Sequence, residues 1–195
     1  MKDWKIILAS NSPRRKELLK MLDVDFEVRV LSGIDESYPP HLPSAEVAQH
    51  IACCKARAYE DNIAQGELVV TADTVVICDD EIMGKPHDED DARRMLRKLS
   101  GRTHQVITGV CLLALKDHQL TTKSFSVRTD VTFDVLSDED IDYYVTHYHP
   151  LDKAGAYGIQ EWIGCVGVSR LEGSYFNVVG FPVQRIYREL KDFCR

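Results

Sequence analysis

Ser10-Asn11-Ser12-Pro13-Arg14-Arg15 is the first stretch whose residue types and order could do chemistry. It follows a short apolar run, Lys5 to Ala9, and leads into a segment with Leu18, Leu19, Met21 and Leu22 on one helical side. A strand turning into a helix there aims backbone N–H groups and the positive end of the helix dipole at an anion. Ser10 and Ser12 add hydroxyls. Arg14 and Arg15 place two guanidinium forks in a first turn where helix electrostatics disfavour cations by up to about 1 kcal/mol. A phosphate ligand explains that placement; a solvated basic patch explains it equally well.

Asp73 lies in Thr71-Ala72-Asp73-Thr74, inside an apolar run from Leu68 to Ile77. A carboxylate there is costly to bury unless it is paired or bound to a cation. The position suits a base or metal ligand, and it also suits a structural ion pair. Glu36, next to Asp35 before a proline-rich loop, offers a second carboxylate. Lys55 falls in a helical segment, and Lys85 in Gly84-Lys85-Pro86. Acids together with several cations are what metal-dependent phosphoryl chemistry needs: a divalent ion on the acids, Lys and Arg on the phosphates. Asp152 to Gln160 holds two glycines that let backbone approach a ligand. Gln160 has both a donor and an acceptor and so can read a base edge. A plain glycine-rich connector fits the same spacing.

These side chains need elements to hold them. Strands are expected at Lys5–Ala9, Phe26–Leu31, Leu68–Cys78 and Val166–Leu171. Glu81 to Met83 pairs back after an Asp79-Asp80 turn, and a hairpin joins Gln105–Leu115 to Lys123–Phe133. Helices are expected behind the caps Ser12, Ser44 and Ser137, over Asp88–Leu99, and over Pro182–Phe193. Gly173 to Gly180 reads as a loop. Tyr143, Tyr144 and Tyr148 read as helix packing and surface. Interleaved helices and strands with a hairpin predict an α/β fold with a mixed central sheet flanked by helices.

The 195 residues suit one ordinary domain, read as spanning 1–195, with no staple needed for its core. A net charge of −7 excludes bulk binding to a nucleic-acid polymer. The first twenty residues nevertheless carry six basic side chains against Asp3 and Glu17, a net of +4 that predicts a local cationic cradle. No apolar run reaches membrane-spanning length. The six cysteines form no C-x-x-C pair, which predicts no zinc or disulfide framework, a reducing compartment and hence the cytoplasm.

Taken together, several segments resemble the Maf family of nucleoside triphosphate pyrophosphatases. They are Ala9 to Arg15, Asp35-Glu36, Lys55-Ala56, Ala72-Asp73-Thr74, Gly84-Lys85-Pro86, Thr108-Gly109-Val110, Asp152 to Gln160 and Gly173 to Pro182. They run in family order along nearly the whole chain. The resemblance implies hydrolysis of a nucleoside triphosphate to the monophosphate and pyrophosphate, with a divalent cation, Mg or Mn. It implies two lobes with a cleft between them, as in the inosine-triphosphate pyrophosphatases, and a homodimer. By motif, Asp73 becomes the base for the attacking water. Arg14, Thr74 and Gln160 fall on positions tied to substrate choice, and Ser10, Arg15, Glu36, Lys55 and Lys85 on binding or catalytic positions. Glu36 with Asp73 would hold the metal. The form of the Asp152–Gln160 segment resembles the branch acting on dTTP, UTP and modified uridine triphosphates. Glu161 departs from that branch, which has Gly there, and Phe176 stands in place of His. A nucleotide-sensing regulator of septum formation, without turnover, is the competing reading.

Overall fold

The computed structural model describes residues 4–194. Seven strands form one mixed sheet: β1 (Lys5–Leu8), β2 (Phe26–Val28), β3 (Glu67–Cys78), β4 (Glu81–Met83), β5 (Thr103–Lys116), β6 (Gln119–Phe133) and β7 (Val168–Glu172). Among the described residues seven α-helices accompany them: α1 (Pro13–Lys20), α2 (Ser44–Arg57), α3 (Glu89–Leu99), α4 (Asp138–Tyr148), α5 (Trp162–Gly167), α6 (Tyr175–Val179) and α7 (Val183–Phe193). The strand order is β2-β1-β3-β5-β6-β7, with β4 beside β3. β1 runs parallel to both β2 and β3, whereas β4 and β7 are antiparallel to their neighbours. The expected α/β fold with a mixed sheet is therefore the observed one.

The chain forms two compact units. The first takes the described parts of Met1–Asp73, Thr108–Val127 and Gly180–Arg195; the second takes Thr74–Ile107 and Arg128–Val179. The division falls within β3, β5 and β6. In the first unit, Ile7, Val69, Cys111 and Leu113 of the sheet pack under Ala52, Ala56 and Tyr59. In the second, Val76, Val106, Val131 and Phe133 pack with Leu96 and Leu99 of α3 and with Ile141, Tyr144 and Val145 of α4.

Local chemistry accounts for several element ends. Ser12 caps α1 through its hydroxyl on the Arg15 N–H, with Pro13 in the first turn. Asp88 caps α3, and Ser137 with Asp140 forms a reciprocal cap on α4. Asp117 and His118 both have positive φ in the two-residue turn joining β5 to β6. Ser44 departs from expectation: α2 starts directly after Pro43, so Ser44 lies inside the helix and gives no side-chain cap. The stretch expected as strand from Val166 begins instead with the end of α5. The expected loop at Gly173 to Gly180 contains α6.

Candidate active site

Asp73 lies on β3, in the first unit, where three anchors meet. Thr71, fully buried two residues earlier, donates through Oγ1 to the Ala52 carbonyl at 2.7 Å, tying β3 to α2. Lys55, one helical turn past Ala52, then donates to Asp73 Oδ1 at 2.8 Å. From the other side, Arg15 Nη1 donates to the Ala72 carbonyl at 2.7 Å. Asp73 is thus held on a rigid strand, its side chain 17% exposed.

Lys55 also meets Glu36 at 3.1 Å, so two carboxylates converge on one ammonium nitrogen. The segment leading to Glu36 is pinned by Tyr59, whose hydroxyl donates to the Arg29 carbonyl at 2.8 Å and accepts from the Leu31 N–H at 3.1 Å. The neighbouring acid has a different task. Asp35 accepts from the backbone N–H and hydroxyl of Ser37, each at 2.9 Å, and these bonds hold its carboxyl below the usual range. Asp35 shapes the turn, while Glu36 faces Lys55.

Arg15 is anchored by backbone oxygens, since its Nε also donates to the Gly180 carbonyl at 3.0 Å. Burial lowers its proton affinity, and Asp73 and Glu36 oppose that effect. The backbone cradle expected from the sequence is partly occupied. Ser12 N–H goes to Ser10 Oγ, Pro13 has no N–H, and Arg15 N–H goes to Ser12 Oγ. The Ser10, Ser12 and Arg14 side chains stand beside what remains of that backbone cradle. The cradle is also smaller than the +4 of the first twenty residues predicts. Lys5 pairs with Glu27 and Glu67, two acids outside that count.

The second unit carries Thr74, Lys85 and Gln160. The Gly155 N–H donates to the Gly84 carbonyl at 3.0 Å, joining the Lys85 turn to the Asp152–Gln160 segment. Gly155 is required there: its φ is +69°, and an added Cβ would lie 3.0 Å from Val76. Gln160 is exposed at the end of that segment.

Two carboxylates that both reach one cation suit a hard divalent ion, which takes carboxylate, water and phosphate oxygens. Among the described residues no group of three or more His, Cys, Asp or Glu is placed to hold a metal. Glu36 and Asp73 are the two carboxylates that a divalent ion would meet there.

A model of the Maf-like protein family matches residues 5–193. The chain belongs to the Maf family. A relative from Phocaeicola vulgatus, named dTTP/UTP pyrophosphatase, is 59% identical over 98% of this chain and 97% of its own. Relatives of the same name from Parabacteroides distasonis and Bacteroides thetaiotaomicron are 54% and 53% identical, covering 99% and 96% of this chain and 98% and 95% of theirs. A solved HAM1 protein from Coxiella burnetii is similar at a TM-score of 0.51 and 14% identity, over 97% of this chain and 99% of that one. It shares the fold.

Some Maf stretches turn out to be packing devices. At Gly109 a Cβ would lie 2.3 Å from the Gln49 nitrogen and 2.4 Å from the Ala48 carbonyl carbon, so only glycine lets α2 lie on β5. Asn177, fully buried, donates to the Val106 carbonyl and to Thr129 Oγ1, each at 3.0 Å, pinning the stretch after Gly173 to two strands. The anchoring carbonyls of Ala72 and Gly180 have no signature in residue type. Tyr144 and Lys153 were also missed. Both are buried in the second unit and reach Glu161, the residue after Gln160.

Proposed function

We propose that this Maf protein hydrolyses dTTP and UTP, and modified uridine triphosphates, to the nucleoside monophosphate and pyrophosphate. The observation that carries the reading is Asp73, fixed on β3 with Lys55 and Glu36 converging beside it and Arg15 anchored one residue away. The three relatives above are named dTTP/UTP pyrophosphatase.

In the proposed step the water oxygen bonds to phosphorus, the bridging P–O bond between the α- and β-phosphates breaks, and pyrophosphate leaves. Asp73 takes the water's proton; Oδ1 is engaged by Lys55, and a carboxylate has a second oxygen to accept with. Lys55 orients Asp73, and with Arg14, Arg15 and Lys85 it offsets charge gathering on the leaving group. Ser10 belongs to the phosphate side. Gln160 is assigned the O4/N3–H edge of the pyrimidine, with Arg14 and Thr74 shaping substrate choice. A divalent cation, Mg or Mn, held by Glu36 and Asp73, would supply further charge neutralisation of the phosphates.

Six free thiols fit a reducing compartment, and we place the reaction in the cytoplasm, in a homodimer. Among the described residues no helix is long and apolar enough to cross a membrane. The test is pyrophosphate release from dTTP, UTP, CTP, 7-methyl-GTP and modified uridine triphosphates, side by side, with Mg or Mn. Release from dTTP, UTP and the modified uridine triphosphates ahead of CTP and 7-methyl-GTP is expected. No release from any nucleotide would overturn the reading in favour of a non-catalytic regulator.

A further inference from the structure

Gln160 stands in a tight turn whose base is closed by side chains with no assigned task. The Glu161 N–H donates to the Gly158 carbonyl at 3.0 Å, so Gly158 to Glu161 form a β-turn with Gln160 third. Both ends of that turn are gripped by one phenol. Tyr144, fully buried on α4, accepts from the Gly158 N–H at 3.0 Å and donates to Glu161 Oε2. Glu161 Oε1 is taken by Lys153 at 3.1 Å, and Lys153 also meets Asp152 at 2.7 Å.

The donor and acceptor accounting leaves little slack. The phenol has one O–H, given to Glu161, and its oxygen receives Gly158. The carboxylate has two oxygens, one for Tyr144 and one for Lys153. Lys153, with its side chain 10% exposed, needs acid partners to remain where it is. The exposed Gln160 amide folds back along the turn: a Cβ on Gly158 would sit 3.0 Å from Gln160 Nε2 and 2.9 Å from Glu161 Cδ. Glu161 itself has φ of −98°, ordinary backbone for any residue, so no glycine is required at that position.

We infer that Glu161, with Tyr144 and Lys153, is a positioning residue that fixes how the Gln160 amide is presented to the pyrimidine edge. This rests on the reading above, in which Gln160 selects the base. The network turns a position open to glycine into a clasp, and discrimination between uracil and cytosine then depends on residues that need not touch the nucleotide. A loosely held amide can rotate to offer either its oxygen or its nitrogen, and those two presentations favour opposite bases.

The test compares Glu161→Gln, Tyr144→Phe and Gln160→Ala, together with the Gln160→Ala/Glu161→Gln double variant, all in the full chain. Steady-state kinetics on UTP and CTP are run beside hydrogen exchange across 156–161. Glu161→Gln keeps size, loses one acceptor and leaves Asp152 paired with Lys153, so it remains folded should Tyr144→Phe not. Expected are about a tenfold loss of UTP preference in each clasp variant, carried by KM, with kcat within about twofold of wild type. Faster exchange at Gly158 is expected as well. The double variant should match Gln160→Ala alone, since the clasp acts through Gln160. Unchanged UTP preference in Glu161→Gln, or additive losses in the double variant, would overturn the inference. Should Gln160→Ala keep the wild-type preference, the base-reading role fails instead. If no nucleotide is turned over, exchange decides the clasp, and unchanged protection of Gly158 in Glu161→Gln overturns it.

Discussion

Arg15 shows how one side chain joins structure to chemistry. Its Nε and Nη1 donate to the Gly180 and Ala72 carbonyls, and Ala72 precedes the proposed base. A lysine keeps the charge but cannot fork onto two oxygens in a fixed plane. Arg15→Lys should cost about 1–3 kcal/mol in stability, from the carbonyls left under-satisfied, and should lower kcat/KM for UTP at the same time. Urea unfolding beside steady-state turnover checks this. Unchanged stability would mean the two anchors carry no weight. The residue types were legible in the sequence, but the anchors were not. A backbone carbonyl acts as a partner only once the fold brings it there, and Gly180 is 165 positions away from Arg15.

Among the elements, α2 and β5 show what residue patterns can and cannot reveal. The apolar spacing of Val47, Ala48, Ile51 and Ala52 foretold α2, and Lys55 fell on it as expected. The task of Gly109 did not emerge from spacing, because it depends on the distance to a helix some sixty positions earlier, where a Cβ would meet backbone at 2.3 Å. Gly109→Ala should push α2 off β5 and cost about 1–3 kcal/mol, the range for overpacking. Because Lys55 and the Ala52 anchor move with α2, UTP turnover should fall as well; chemical denaturation and kinetics on one sample read both. The short helices α5 and α6 escaped sequence reasoning for a related reason. At 6 and 5 residues they are too short to show a period, and α6 is fixed by the Asn177 bonds to β5 and β6. Tyr144 read as ordinary helix packing, and it is buried. Its hydroxyl bonds are tertiary and leave no mark on the helical pattern.

For the molecule as a whole, the net charge of −7 conceals where the cations go. Lys5 and Arg29 both serve Glu67, whose side chain is 6% exposed. The Arg29 guanidinium holds that carboxyl down at about 2. Stability from Glu67 is therefore present above its ordinary value of 4.5 and is lost as pH falls through about 2. His104 acts at milder pH. Burial holds its imidazole at about 4, against 6.5 in an open chain. Between those values the unfolded chain binds the extra proton, so stability is full above 6.5 and declines by up to about 3 kcal/mol on the way to 4. Thermal midpoints measured from pH 7 to pH 4 should show that decline, and His104→Phe should flatten it. In the proposed reaction everything turns on Asp73, which is held by Lys55 on β3 and takes the proton from the attacking water. The most direct test is UTP turnover by wild type and Asp73→Asn, with products identified. Wild type should release UMP and pyrophosphate, and the variant should lose about 10²–10⁴ in kcat with KM little changed. Near-normal turnover by Asp73→Asn, or UDP and phosphate as the wild-type products, would contradict it.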